Sequence, residues 1–223
     1  MAGEGTSRNI PASAAAKSEA VVVVVGQQFA AAKAVDLTVT RYDVLTFMDV
    51  HLYTVVDVDG DEVFKVNRVQ FGSSRRVLLD AAGDTLLTMK PDGSNGIRGL
   101  DFCEPWNVYR GDSTSPSDLL FSVGKSKLLQ FDQFKVILAT NANQAATCDF
   151  KIDGSGRSVK CTISIGQSDT IIAQMSSKRA FLQPEKLLVT VSPNIDCAFI
   201  VSLIVIIEEF RRKSGVSDHS LLW

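Results

Sequence analysis

The sequence predicts an all-β domain closed around one buried C-terminal helix, and three observations carry that prediction. Apolar stretches of about 4–8 residues recur along the chain, broken by turn residues at roughly 8–12-residue spacing, which is the signature of an all-β domain. Roughly a dozen such stretches can be counted, the number expected of a large closed or nearly closed barrel. Finally, every residue from Cys197 to Ile207 except Ser202 is apolar, and a helix apolar on all sides has to be enclosed on all sides.

The elements follow in chain order. Residues 1–20 are small and polar and read as a disordered tail. Val21 to Val25 is a run of five valines. β-branched side chains suit a pleated surface, so a strand is expected there. Leu37-Thr38-Val39-Thr40 alternates strictly. Tyr53 to Val58 and Asp61 to Val66 flank Asp59-Gly60, the mark of a hairpin with a two-residue primed turn. Val77 to Asp80 and Thr85 to Met89, joined through Ala82-Gly83, form a second hairpin. Trp106 to Arg110, Leu119 to Val123 and Leu128 to Leu138 are further strands, with Gly111 to Ser117 a polar loop between the first two. From Cys148 to Ile165 one face is apolar and the other polar, as in an antiparallel sheet wet on one side. A turn centred on Ser155-Gly156 would set Cys161 opposite Phe150 and Cys148 opposite Ile163, as reduced core thiols. Thr170 to Met175 and Leu187 to Val191 complete the series, and no boundary divides it into two domains.

The pattern then changes. Ser192-Pro193 offers an N-cap followed by proline at the first helical position, and Arg211-Arg212-Lys213 suits the negative end of a helix dipole. A helix over residues 194–210 would be about 25 Å long. The apolar run has 11 residues, whereas a membrane span takes about 20. The run is therefore read as core, with no transmembrane span. Residues 214–223 are expected to form a flexible tail.

Composition narrows the function. Lys plus Arg is 23 and Asp plus Glu is 25, for a net charge of −2. No global basic field exists to attract nucleic acid, so an anion-binding surface must be a local patch. Four cysteines without a C-x-x-C pair and two histidines leave no metal-site pattern, and no metal or cofactor is expected. The acidic cluster Asp57, Asp59, Asp61 and Glu62 lacks the glycine and glutamate positions of a calcium loop and reads as a solvated hairpin end. His51 has no neighbouring partner for acid–base work, Trp106 reads as core or rim packing, and no nucleophile, P-loop or dinucleotide motif is present. No catalytic residues are assigned and the protein is not expected to be an enzyme. The N-terminus has neither the secretory pattern nor a myristoylation glycine, so the cytoplasm is the expected compartment.

The closing run SPNIDCAFIVSLIVIIEEF, preceded in order by VDLTVTRYDVLTFMD, YTVVDVDGDEVFKVN, RRVLLDAAGDTLLTMK, WNVYRGDS and CDFKIDGSG, resembles the plant LURP-one-related proteins. The resemblance spans about Val21 to Arg212. It implies a tubby-like architecture, similar to tubby C-terminal domains and phospholipid scramblases: a twelve-stranded antiparallel barrel over residues 21–213, wrapped around a C-terminal hydrophobic helix. One departure is Ala30 to Ala34, where related chains tend to carry a Cys- and Pro-containing stretch. The resemblance implies plant defence-linked signalling with no established biochemical activity, and the absence of catalytic motifs points to a non-enzymatic binding or adaptor role with an unknown protein partner. Analogy with tubby domains offers a phosphoinositide headgroup as the alternative ligand, bound peripherally at a membrane. The candidate lipid-binding residues on that reading are Arg75, Arg76, Lys125 and Lys127, in two basic pairs. A membrane-associated scramblase-like protein is the other alternative, although no scramblase calcium segment is recognisable. A monomer is expected.

Overall fold

The computed structural model describes residues 20–42, 51–70, 73–93, 102–126, 133–141, 148–154, 160–166, 168, 170–178 and 185–213. The expected tails at 1–19 and 214–223 lie outside them, as does Leu128 to Asp132 of the strand expected to begin at Leu128. The described residues contain twelve strands: β1 (Val35–Arg41), β2 (His51–Val56), β3 (Glu62–Arg68), β4 (Arg76–Asp80), β5 (Thr85–Pro91), β6 (Phe102–Arg110), β7 (Leu119–Ser126), β8 (Gln133–Leu138), β9 (Phe150–Gly154), β10 (Lys160–Ile165), β11 (Ile171–Lys178) and β12 (Lys186–Val191). A single α-helix, α1 (Cys197–Lys213), follows them. Each strand pairs antiparallel with its sequence neighbours, and β1 pairs with β12 to close the barrel.

Among the described residues closure leaves no strand at a sheet edge, where unpaired backbone would be open to another chain. The alternation read from sequence is the inside and outside of the barrel: Leu37 and Val39, Phe64 and Val66, Phe121 and Val123, and Leu187 and Val189 are all buried. α1 fills the interior. Every residue from Ala198 to Ile206 is at most 1% exposed, and each buried Ile, Leu or Phe contributes on the order of 1.5–3 kcal/mol. Phe199 sits between Phe121 and Phe150, both at 5.1 Å between ring centroids. Ser202 is the one polar side chain of the apolar run, and its hydroxyl donates to the Phe199 carbonyl at 2.6 Å. Among the described residues no helix is long and apolar enough to cross a membrane.

Four local expectations need correction. The five valines are not a strand but a strap across the end of the barrel where α1 begins. Val22 makes an isolated bridge to Ile195, and a short 3-10 turn follows at Gln27–Phe29. Its anchor is Asp196, which is fully buried. Asp196 Oδ2 accepts the backbone N–H of Val24 (3.1 Å), Val25 (2.7 Å) and Gly26 (3.1 Å). Asp196 is also the residue just before α1, and its Oδ1 accepts the Phe199 N–H at 3.1 Å. It is therefore the N-cap, in place of Ser192: Pro193 and Asn194 (φ 61) form a turn first, and the helix starts later than residue 194.

The Asp59-Gly60 hairpin does not use a two-residue primed turn, and the second hairpin, which turns through Ala82-Gly83, is built the same way. Both use the same longer loop, written D-x-x-G-D. Asp57 N–H donates to Asp61 O and Gly60 N–H to Asp57 O, while Asp57 Oδ1 accepts the N–H of Asp59 and Asp61. Asp80, Ala82, Gly83 and Asp84 repeat the pattern. Gly60 and Gly83 both sit at φ 91, a left-handed conformation that glycine adopts without cost. The acidic hairpin end is thus built by its first aspartate. In the β9–β10 hairpin, Cys161 pairs with Gly154, not Phe150, and Ile163 with Ile152. The register differs by four residues because the turn is centred later; an even slip keeps every side chain on its face. Cys161 and Cys197 are buried and Cys148 is half-buried, all as free thiols.

Candidate functional site

The inward-facing rows of several strands end in charge at one end of the barrel, where α1 terminates. Leu37 and Val39 are followed on the same face by Arg41, Phe64 and Val66 by Arg68, and Leu78 is preceded by Arg76. Because β1 and β3 end where β2 and β4 begin, these residues share one mouth. α1 brings Glu208, Glu209, Arg211 and Arg212 to the same place. The expected helix-end role of the basic residues becomes a set of ion pairs: Arg211 holds Glu208 at 2.6 Å and Arg212 holds Glu209 at 3.2 Å. Burial pushes the Glu208 carboxyl above the usual carboxylate range, against the opposing pull of Arg211. The Tyr53 phenol, buried beside both glutamates, is also held well above its ordinary value, first by desolvation.

Arg76 is the centre of this mouth. Its side chain is 5% exposed and grips Glu209 with two nitrogens, Nη2 to Oε2 at 2.9 Å and Nε to Oε1 at 3.4 Å. Its Nη1 donates to the Ser73 and Arg75 carbonyls. Removing either partner of a buried pair costs about 3–5 kcal/mol, because the other charge is left uncompensated. Arg68 is the direct cross-strand neighbour of Arg76. Like charges so placed repel, and Glu209 is the counter-charge that sits with them. Arg68, Ser73, Ser74, Arg76, Trp106, Glu209 and Arg212 line a cavity of about 340 Å³.

The four residues singled out from sequence do not form one patch. Arg76 turns inward to the mouth. Arg75 points the other way, where its Nη2 meets the Asp112 carboxylate at 2.9 Å and the Thr88 hydroxyl at 3.3 Å. Lys125 lies on the inward row of Phe121 and Val123 and pairs across with Phe134, whose ring meets Phe210 of α1 at 5.1 Å. It therefore belongs to the same end as Arg76. Lys127 lies outside the described residues. Sequence reasoning missed Arg68 and the site role of Trp106. The signal for Arg68 was present: an inward-facing row of period two that closes on an arginine.

A second, larger concavity of about 580 Å³ lies on the outer face over β10, β11, β12 and β1. Thr38, Thr162, Ser176 and Thr190 line it, with Asp36 and Lys160. The Thr190 hydroxyl already donates to Asp36 at 2.6 Å. More than half of its lining is apolar, and its charged residues Asp36, Asp57 and Lys160 sum to 1 − 2 = −1. Among the described residues no group of His, Cys, Asp and Glu is arranged to hold a metal ion.

A helix-plugged, fully antiparallel β-barrel with a cationic mouth is the class of protein defined by these features. The chain belongs to the LURP-one-related family, whose model matches residues 35–208. It is 34% identical over 197 residues to protein LURP-one-related 15 of Arabidopsis thaliana, covering 86% of this chain and 87% of that protein. It is 35% identical over 200 residues to protein LURP-one-related 10 of the same plant, covering 87% and 99%. It is also similar to the X-ray structure of an Arabidopsis thaliana protein, with a TM-score of 0.65 and 34% identity over 85% of this chain and 99% of that one.

Proposed function

We propose that this protein is a non-enzymatic binding or adaptor module of the LURP-one-related type, acting in plant defence-linked signalling in the cytoplasm, and that the barrel mouth is its binding face. The observation that supports this is where the charge lies. The chain as a whole carries −2, yet three arginines and one glutamate line the mouth cavity, a balance of 3 − 1 = +2. The interior is filled by α1, so a partner has to be met at the surface. A rigid, closed barrel holds such a surface without ordering cost on binding, which favours recognition. The phosphoinositide alternative draws on the same face, since a headgroup is an anion.

Retention on a sulfonate cation exchanger at neutral pH and low salt tests the reading. A protein of pI about 5.7 is retained there only through a local patch. Wild type should be retained, and Arg68→Glu with Arg212→Glu should flow through. Passage of wild type with the void, or equal retention of the variant, would show that the mouth is not the binding face.

A further inference from the structure

We propose that the mouth cavity is a site for a phosphate monoester, a proposal that rests on the binding reading above and assigns the chemistry of its ligand. The first argument is the inventory of donors and acceptors. Both carboxylate oxygens of Glu209 are taken by Arg76 and Arg212. Among the described residues, the Arg68 Nε–H and the Trp106 indole N–H are buried without a partner, and the exposed Ser74 hydroxyl lies beside them on the wall. A wall that offers donors and has spent its strong acceptors selects a species that only accepts. A doubly charged phosphate monoester matches both this and the +2 balance of the wall.

The second argument is the cost of leaving these groups unpaired. Trp106 is fully buried and its Nε1 finds no acceptor; the buried Arg68 Nε is in the same position. Buried donors are nearly always satisfied, so orphans in a cavity wall are a sign of an absent acceptor. A phosphate oxygen on Arg68 would give Arg68 the counter-charge that Glu209 gives Arg76. Arg212, whose side chain is 44% exposed and paired with Glu209, stands at the rim of the wall. At about 340 Å³ the cavity has room for the organic body that carries the phosphate, which a bare ion would leave empty.

Calorimetry on the full chain at low salt tests this with two probes: glycerol phosphate, and phosphatidylcholine vesicles containing phosphatidylinositol monophosphate. Arg68 holds no ion pair among the described residues, so Arg68→Gln should fold like wild type and bind glycerol phosphate roughly tenfold to a hundredfold more weakly, the worth of a charge-assisted contact. Arg68→Lys should fall between them. Arg212→Gln, changed at the rim, provides a second independent variant. Vesicle binding tighter than glycerol phosphate, and lost in Arg68→Gln, makes a lipid headgroup the source; vesicle binding no tighter makes it a soluble ester. Both support the site. If neither probe binds, or if Arg68→Gln and Arg212→Gln both bind like wild type, the assignment is overturned. Retention on sulfonate without phosphate binding would overturn the phosphate chemistry alone and leave the mouth as the binding face.

Discussion

Asp196 joins three parts of the molecule, and removing its carboxylate should be felt in all of them. It caps α1 through Phe199 and anchors the strap through Val24, Val25 and Gly26. In Asp196→Ala four backbone donors lose their acceptor at once. Val24 and Gly26 are partly exposed and can turn to water, so the main cost falls on the buried Val25 and Phe199 N–H groups. Each buried orphan costs about 1–3 kcal/mol, so the two set a total loss of roughly 2–6 kcal/mol. For a chain of this size, about 2–4 °C per kcal/mol lowers the melting temperature by roughly 4–24 °C. Asp196→Asn keeps one oxygen for the strap but turns its amide N–H toward the Phe199 N–H, so about half that loss is expected. Thermal melting followed by circular dichroism gives the magnitude, and hydrogen exchange at Val24, Val25 and Gly26 gives the location. Asp36→Ala, which breaks one exposed bond to Thr190, should change stability by about 0.5 kcal/mol or less. If Asp196→Ala melts with that control, or the strap amides keep their protection, the anchoring argument is wrong.

Three further predictions rest on the core and the mouth. Ile204→Asp places a charge in the middle of α1, where Ile204 is 1% exposed, and should prevent folding; a soluble variant as heat-stable as its parent would contradict the plug. The raised carboxyl of Glu208 makes the folded state bind its proton more tightly than the unfolded chain does. Stability from this group is therefore complete below the unfolded carboxylate value of about 4.3 and is lost as pH rises through the higher folded value. Urea titrations should show Glu208→Gln gaining on wild type as pH rises above about 4.3, and a difference that stays constant with rising pH would refute it. Burial pushes the thiol of Cys161 up to about 12 and that of Cys197 up to about 11. In the folded protein both should resist iodoacetamide at about pH 8 while half-buried Cys148 reacts first, and peptide mass mapping that finds Cys161 modified early would count against this packing.

Much of the architecture can be read from the residues because strand periodicity and the length of the last apolar run are strong local signals. Leu37 to Thr40, the two D-x-x-G-D hairpins and α1 all stand where alternation and composition point. What escaped was set by long-range contacts. Five valines suggest a strand, but an aspartate about 170 positions away in sequence bonds their N–H groups from the side. Ser192-Pro193 has the local chemistry of a helix start, yet Asp196 takes the cap because it can satisfy the strap as well. The Asp59-Gly60 turn was mistaken because Asp-Gly fits both a two-residue primed turn and the longer loop, and only the carboxylate of Asp57 decides between them. The candidate site was half legible. Arg76 was noticed as one of a basic pair, but alternation sends it and Arg75 to opposite faces. Arg68 and Trp106 look like ordinary strand residues until closure of the barrel brings β3, β4 and β6 to the end of α1.

The mouth as a ligand site is the central claim, and the indole N–H of Trp106 tests it most directly. With Trp223→Phe as background, Trp106 is the only tryptophan in the chain and has one indole resonance in a nitrogen–proton correlation spectrum. Titration with glycerol phosphate should move that resonance saturably, together with the Arg68 Nε–H signal, and in Arg68→Gln the Trp106 shift should need roughly tenfold to a hundredfold more glycerol phosphate. An indole resonance that stays in place while glycerol phosphate shifts signals elsewhere on the barrel would contradict the account.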